Sequence, residues 1–434
     1  DAKKKGFSTD VGNALVNLYG KCLSISEAHN VFNSLCSHNV ASWNAMISTY
    51  VEFEQVDSAL CLFNHMLKEG VSPDVWTFVI TLQACCILAD KEESTLVDSH
   101  FIKPICLDIV CAIHDDVEQN GFASHIFVGN SLLTTYGKCG DIGSAKDVFD
   151  NVKEEATVVS WTSMIRVYVE HDQGEKALQL FSQMIAEKRH LIPDDVAFIT
   201  ILAACANQSA LDDGKCVHAC ILEWGLDSVI DVSNAIVNMY GKCGCVKSAW
   251  MMFNTLHDHD ICSWNSLLAV YAQHGFGKEV IHLVSIMEER HVRPDKFTFT
   301  IVLSACSHGG LIHEGCKFFT RMIEVCYTNM HPCEDHAVCM IDLLGRAGLL
   351  DVARQLVLHH LPFQPTVVAY TTLLGACQLD EGVVVQGFCL AKYIIELKPQ
   401  TSASYIILSN MYSLMESISC KDGICSTAKY HAII

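Results

Sequence analysis

The chain has 434 residues, half of them hydrophobic, and sets 49 Asp and Glu against 29 Lys and Arg for a formal charge of −20. That balance counts against a non-specific nucleic-acid binder, because phosphates demand cations. Despite a mean hydropathy of +0.27, no stretch approaches the 18 or more consecutive apolar residues that a membrane helix needs, so no membrane segment is expected. The 23 cysteines are an odd number with no secretory leader before them, which points to free thiols rather than a disulfide framework. The first residue is Asp and no transit peptide precedes the first repeat, so the chain is expected to be a fragment or a truncated gene model.

In chain order, residues 1–8 read as a partial repeat. Asn13-Ala14-Leu15-Val16 then leads to Tyr19-Gly20-Lys21-Cys22, and Ser42-Trp43-Asn44-Ala45-Met46-Ile47 follows, with Asn44 placed 31 residues after Asn13. Over residues 56–67, Val56, Ala59, Leu60, Phe63, Met66 and Leu67 fall on one helical face, and Gly70 and Pro73 stop the helix. A third element ends at Cys85. The cycle returns as Asn130, Tyr136-Gly137-Lys138-Cys139, Ser160-Trp161-Thr162 and Cys205, and again as Asn234, Tyr240-Gly241-Lys242-Cys243, Ser263-Trp264-Asn265 and Cys306. Units of about 31, 35 and 35 residues therefore rotate in fixed order. The apolar face returns at Ala177, Leu178, Phe181, Met184 and Ile185, and more loosely at Val280, Ile281, Val284 and Met287.

A two-helix unit of this size cannot bury such a face alone, so neighbours must stack. The expected fold is all-α, a superhelical α-solenoid of helix-turn-helix units whose first helices line a groove. The first long unit breaks the pattern. Cys85 and His114 are 29 residues apart, whereas Cys205 and His218 are 13 apart. The 16 extra residues, around Glu92 to Asp108, read as a loop insertion or retained non-coding sequence that puts the local stacking in doubt.

Tyr-Gly-Lys-Cys-Gly (136–140 and 240–244), Val-Ser-Trp-Thr-Ser-Met-Ile (159–165), Leu-Ser-Ala-Cys-Ser-His-Gly-Gly-Leu (303–311) and Asp-Leu-Leu-Gly-Arg-Ala-Gly (342–348) occur in order. With these phrases the chain resembles plant pentatricopeptide repeat proteins of the subclass with alternating P, L and S repeats. The resemblance implies a right-handed superhelix with tandem repeats over 9–366. S repeats fall at 9–39, 126–157 and 230–260, P repeats at 40–74, 158–194 and 261–295, L repeats at 75–125, 195–229 and 296–333, and a final S-like repeat at 334–366. Tyr370 to Cys377 and Tyr405 to Tyr412 resemble an E-type extension over 367–412, followed by a divergent tail at 413–434. The extension is incomplete, which would impair recruitment of an editing enzyme.

The resemblance further implies that each repeat reads one base of single-stranded RNA with two or three side chains. Carried over by position, the reading pairs are Asn13 with Asn39, Asn44 with Asp74, Asn130 with Thr157, Thr162 with Asp194, Asn234 with Asp260, and Asn265 with Asp295. By the family's code Asn with Asp implies U, Thr with Asp implies G, and Asn with Asn a pyrimidine; Asn130 with Thr157 is off-code and stays open. Ala41, Val159 and Cys262, at the second position of P repeats, would flank the bases. Lys21, Lys138, Lys242 and Arg346 hold equivalent positions and would meet phosphates. Against this stands a structural role, in which the Asn residues serve helix starts and Gly-Lys closes a turn.

No metal and no cofactor is expected. Cys-x-x-Cys is absent, and the nearest clusters, Cys216 with His218 and Cys220, and Cys333 with His336 and Cys339, fall short of a four-ligand zinc site. Cys85, Cys205, Cys306 and Cys377 recur once per cycle, as small core residues do. No His is followed two residues later by Glu, so the zinc deaminase signature found at the end of many relatives is missing, and the chain reads as a non-enzyme. The sequence thus points to a monomeric, site-selecting RNA binder of a plant mitochondrion or chloroplast, with a deaminase or editing-complex protein acting in trans. The rival is an α-solenoid scaffold for protein partners without RNA binding, and a third reading has a deaminase domain lost from the longer product.

Overall fold

The structure is a computed structural model. It describes residues 9–377 apart from 36, 98–99, 188–190, 257, 325–331, 358–360, 362 and 364, together with Ile394, Ile406 and Ser409. Residues 1–8, the Tyr405–Tyr412 segment as a whole and the tail at 413–434 lie outside the described residues. The chain divides into two compact units, 1–226 and 227–434.

The first unit is a row of helical hairpins: α1 and α2 (Thr9–Lys21, Ile25–Asn33), α3 and α4 (Val40–Glu52, Val56–Lys68), α5 and α6 (Val75–Lys91, Pro104–Gln119), α7 and α8 (Ile126–Cys139, Ile142–Val152), α9 and α10 (Val158–Glu170, Gly174–Glu187), α11 and α12 (Asp195–Asn207, Leu211–Trp224). Odd-numbered helices pack on one another in sequence order. The second unit repeats the arrangement with α13 and α14 (Ile230–Lys242, Val246–Thr255), α15 and α16 (Ile261–Gln273, Gly277–Glu289), α17 and α18 (Lys296–Gly309, Ile312–Glu324), α19 and α20 (Glu334–Arg346, Leu350–Gln355), and α21 (Val367–Cys377). The fold is an α-solenoid.

The two helices of a hairpin differ because their surroundings differ. A second helix such as α4 buries one stripe, Val56, Ala59, Phe63 and Met66, and leaves Leu60 and Leu67 half-buried. A first helix is enclosed by its own partner and by a first helix on either side. In α7, which has α5 and α9 on its two sides, Val128, Gly129, Leu132, Leu133, Thr135, Tyr136, Gly137 and Cys139 are accordingly all buried. Cys85, Cys205 and Cys306 sit at matching points and are fully buried. Burial pushes the Cys85 thiol well above its ordinary value and the Cys306 thiol up to about 12, which keeps both protonated and unreactive. The side chain of Cys377 lies outside the described residues.

The three tryptophans of the recurring Ser-Trp, Trp43, Trp161 and Trp264, join successive hairpins. Each packs edge to face on the phenylalanine of the preceding second helix: Trp43 on Phe32, Trp161 on Phe149 and Trp264 on Phe253, with ring centroids 5.2, 5.2 and 4.9 Å apart. The glycine of the recurring Tyr-Gly-Lys-Cys leaves room for a side chain of the next first helix. A Cβ at Gly137 would stand 2.3 Å from Cγ2 of Val167, and at Gly241 2.1 Å from Cγ2 of Val270.

The extra residues of the first long unit form structure of their own. Helix α5 continues to Lys91, and β1 (Thr95–Val97) and β2 (His100–Ile102) pair antiparallel with Leu96 opposite Phe101. The Glu92 carboxylate accepts from the backbone N–H groups of Ile105 and Cys106, both at 2.9 Å, and so caps α6 from across the hairpin. The N–H of Lys103 donates to the carbonyl of Cys139 at 3.0 Å, which ties the hairpin to the end of α7. Gly140, at φ +88°, makes that docking sterically feasible, since a Cβ there would stand 2.2 Å from the carbonyl oxygen of Phe101. The insertion leaves the packing of α5 on α7 in place. Replacing Gly140 by alanine is expected to cost about 1–3 kcal/mol, from the left-handed backbone and the clash together. Limited proteolysis should then cut within residues 95–102 faster than in the parent; equal rates would show that the hairpin is not held there.

Candidate nucleic-acid interface

Each repeat's last residue is also the residue that caps the next first helix. Asn39, Asp74, Asp194, Asp260 and Asp295 all have extended backbone, and their side chains accept the N–H of the third helical residue: Ser42, Thr77, Ala197, Ser263 and Thr298, at 2.7 to 2.9 Å. Thr157 is held through its own N–H, which donates to Ser160 Oγ at 3.2 Å. The expected reading positions therefore have a structural duty that alone would favour Asp, Asn and Thr.

The fifth residue of the preceding first helix meets this cap. Asn44 Nδ2 donates to Asp74 Oδ1 at 3.0 Å, and Asn265 Nδ2 to Asp295 Oδ1 at 3.1 Å. The hydroxyls of Thr77 and Thr298 donate to Oδ1 of Asn44 and Asn265 at 2.7 Å, closing two identical networks. Asn13 Nδ2 reaches Asn39 Oδ1 at 3.3 Å. In Asp74, burial opposes ionisation, but hydrogen bonds from the Thr77 N–H and the Asn44 and Thr77 side chains outweigh it and hold the carboxyl below its ordinary value. Its stabilising contribution is thus complete above about pH 4 and lost as pH falls through the lowered value.

The remaining pairs do not close in this way. Asn130 Oδ1, Thr162 Oγ1 and both amide atoms of Asn234 are buried with no hydrogen-bond partner, as is Asn13 Oδ1. Four of the six fifth-position residues thus carry polar capacity that the protein itself does not satisfy, where only Asn44 and Asn265 have complete networks. Such orphans are rare in folded proteins and cost about 1–3 kcal/mol each. Asn130 and Thr157 instead line one cavity of about 440 Å³.

The second helical position is exposed throughout. Ala41, Val159 and Cys262 are exposed as the sequence suggests, and so are three aromatic residues in the same register: Trp76, Phe127 and Phe297, at 57, 55 and 60%. The register that selects Ala41, Val159 and Cys262 also selects Trp76, Phe127 and Phe297. The four cations close the last turn of α1, α7, α13 and α19, where they also complement the helix dipole. Lys21 and Lys242 are exposed. Lys138 is engaged by Asp90 at 2.5 Å and Arg346 by Asp342 at 2.9 Å, so neither stands as an open phosphate contact. Among the described residues no three His, Cys, Asp or Glu side chains converge as metal ligands, and no helix is long and apolar enough to cross a membrane.

Comparison with known proteins identifies the repeat. Family models for the PPR repeat match at residues 38–87, 156–207 and 259–308, and at 130–155, 232–261 and 297–326. The chain belongs to the pentatricopeptide repeat family. Among its Arabidopsis thaliana relatives are a chloroplastic pentatricopeptide repeat-containing protein (33% identity over 413 residues, 95% of this chain and 48% of the relative) and the chloroplastic protein CRR2 (32% over 399 residues, 92% and 58%). A mitochondrial relative is 31% identical over 401 residues, 92% of this chain and 59% of its own length. The chain spans about half to three fifths of these relatives. The crystal structure of the maize pentatricopeptide repeat protein PPR10 superposes with a TM-score of 0.60 at 17% identity, covering 98% of this chain and 64% of that one. PPR10 in complex with an 18-nucleotide psaJ RNA element gives 0.56, also at 17% identity, covering 94% and 67%.

Proposed function

We propose that this pentatricopeptide repeat protein binds single-stranded RNA sequence-specifically, with the six fifth-and-last-residue pairs as base readers. The observation that carries the reading is the unsatisfied polar capacity at Asn13, Asn130, Thr162 and Asn234. Helix capping accounts for the last residue of each repeat but not for polar atoms of the fifth residue left without a partner. A base edge, which offers both donors and acceptors, supplies what is missing once these side chains turn toward the groove. The solved complex of PPR10 with RNA supports the same reading.

In the finer form of this reading the repeats are of the alternating P, L and S kind, residues 367–412 belong to an E-type extension, and the protein selects sites for C-to-U editing while a deaminase acts in trans. The names of the relatives support a chloroplast or mitochondrion. The formal charge of −20 favours a second reading, a scaffold for a cationic protein segment. Fluorescence anisotropy of a labelled single strand against the full chain separates the two. RNA reading predicts saturable binding that weakens as salt rises, with a slope set by the few phosphates contacted; no binding at low salt would favour the scaffold.

A further inference from the structure

Trp76 and Phe127 occupy the second positions of adjacent first helices, α5 and α7, and their rings are stacked, with centroids 5.9 Å apart and planes inclined by 28°. A base inserted between two rings makes two stacking contacts in series, each needing about 3.5–4.0 Å between atoms, so the slot would have to open to about 7–8 Å. The slot as built is already filled by the two rings themselves. The fifth residue of this long repeat is Val79, which has no hydrogen-bonding group to read an edge.

On either side the surroundings change. Before Trp76 comes the small Ala41 at the same position, beside the Asn44–Asp74 pair. Below the stack a cavity of about 440 Å³ runs from Val79 and Gln83 of α5, which close it with apolar and amide groups, past Phe127 to Asn130, Thr157 and Val159, with the unpartnered Oδ1 of Asn130 buried next to it. Both rings remain more than half exposed, and the His125 ring lies beside Phe127 with centroids 5.8 Å apart.

We propose that the Trp76–Phe127 stack excludes a base from the first long repeat and presents two outward stacking faces instead, one to the base read by Asn44 and Asp74, the other to the base read by Asn130 and Thr157. The inference rests on the RNA reading above. The strand then crosses this repeat with no base inserted, and its sequence requirement is interrupted there. Such an interruption is a property of this chain's own residues, since the rings come from positions that hold Ala41 and Val159 in the flanking repeats.

The test is an abasic scan of a synthetic single-stranded RNA bound to the full chain. Asp74→Asn and Thr157→Asp fix the register, each by changing base preference at one nucleotide. An abasic site at either of those nucleotides is expected to weaken binding about tenfold, the range of a lost base–aromatic stack. An abasic site between them, or the absence of any nucleotide between them, is expected to change binding less than about twofold on the same scale. Phe127→Ala, at an exposed position where the melting curve should hold, is expected to weaken binding of the intact strand about tenfold. Equal sensitivity at an intervening nucleotide, or a Phe127→Ala variant that binds as the parent does, would overturn the stack while leaving the RNA reading intact. Failure of the intact strand to bind at all would overturn both.

Discussion

Trp264→Ala is expected to destabilise the second unit by about 3–5 kcal/mol, the range for deleting a large aromatic from a closed core. Trp264 is 1% exposed, and its edge-to-face contact with Phe253 bridges the hairpin α13–α14 to the next first helix. In a solenoid each hairpin is held mainly by its neighbours, so the loss of one bridge removes an interface and not a single contact. Urea unfolding followed by circular dichroism should show the midpoint falling, with a separate early transition if the interface alone gives way. Trp76→Ala is the matched control. Its side chain is mostly exposed, and its removal should shift stability by less than about 0.5 kcal/mol. Equal costs for the two would mean that the enclosed tryptophans do not hold the stack together.

Asp295→Asn is expected to relax base choice by about tenfold at one nucleotide while leaving stability nearly unchanged. Asn caps a helix about as well as Asp, so the bond to the Thr298 N–H survives. The change is to the outward chemistry: a carboxylate accepts only, whereas an amide also donates. By the family's code the preference moves from U to either pyrimidine. Asp295→Ala separates the two duties from the other side, losing the cap at a cost of about 1 kcal/mol as well as the reader. If Asp295→Asn binds every strand as the parent does, the residue is a cap and nothing more.

Much of this was legible beforehand because repetition supplies its own control. The face at Val56, Ala59, Phe63 and Met66 was visible from spacing, and the closeness of Asn44 to Asp74, 30 residues apart, followed from where one repeat ends and the next begins. What repetition could not reveal was anything occurring once. Residues 92–103 have no counterpart in the later cycles, so nothing in the sequence set the register of Leu96 opposite Phe101 or the reach of Glu92 to the start of α6. The pairing of Lys138 with Asp90 likewise depends on the extra turn of α5 that carries Asp90. The Trp76–Phe127 stack, between residues 51 positions apart, lay within reach of the register that selects Ala41, since both rings hold the second position of their helices.

The most direct test of base reading is a competition gel shift of the full chain with two single strands of equal length. One carries the coded bases, U for Asn44–Asp74, Asn234–Asp260 and Asn265–Asp295 and G for Thr162–Asp194, and the other has every U and G exchanged. Reading by these pairs predicts that the coded strand binds at least tenfold more tightly, at about 1.4 kcal/mol per tenfold. Equal affinity for both strands would contradict it and leave the pairs as helix caps alone.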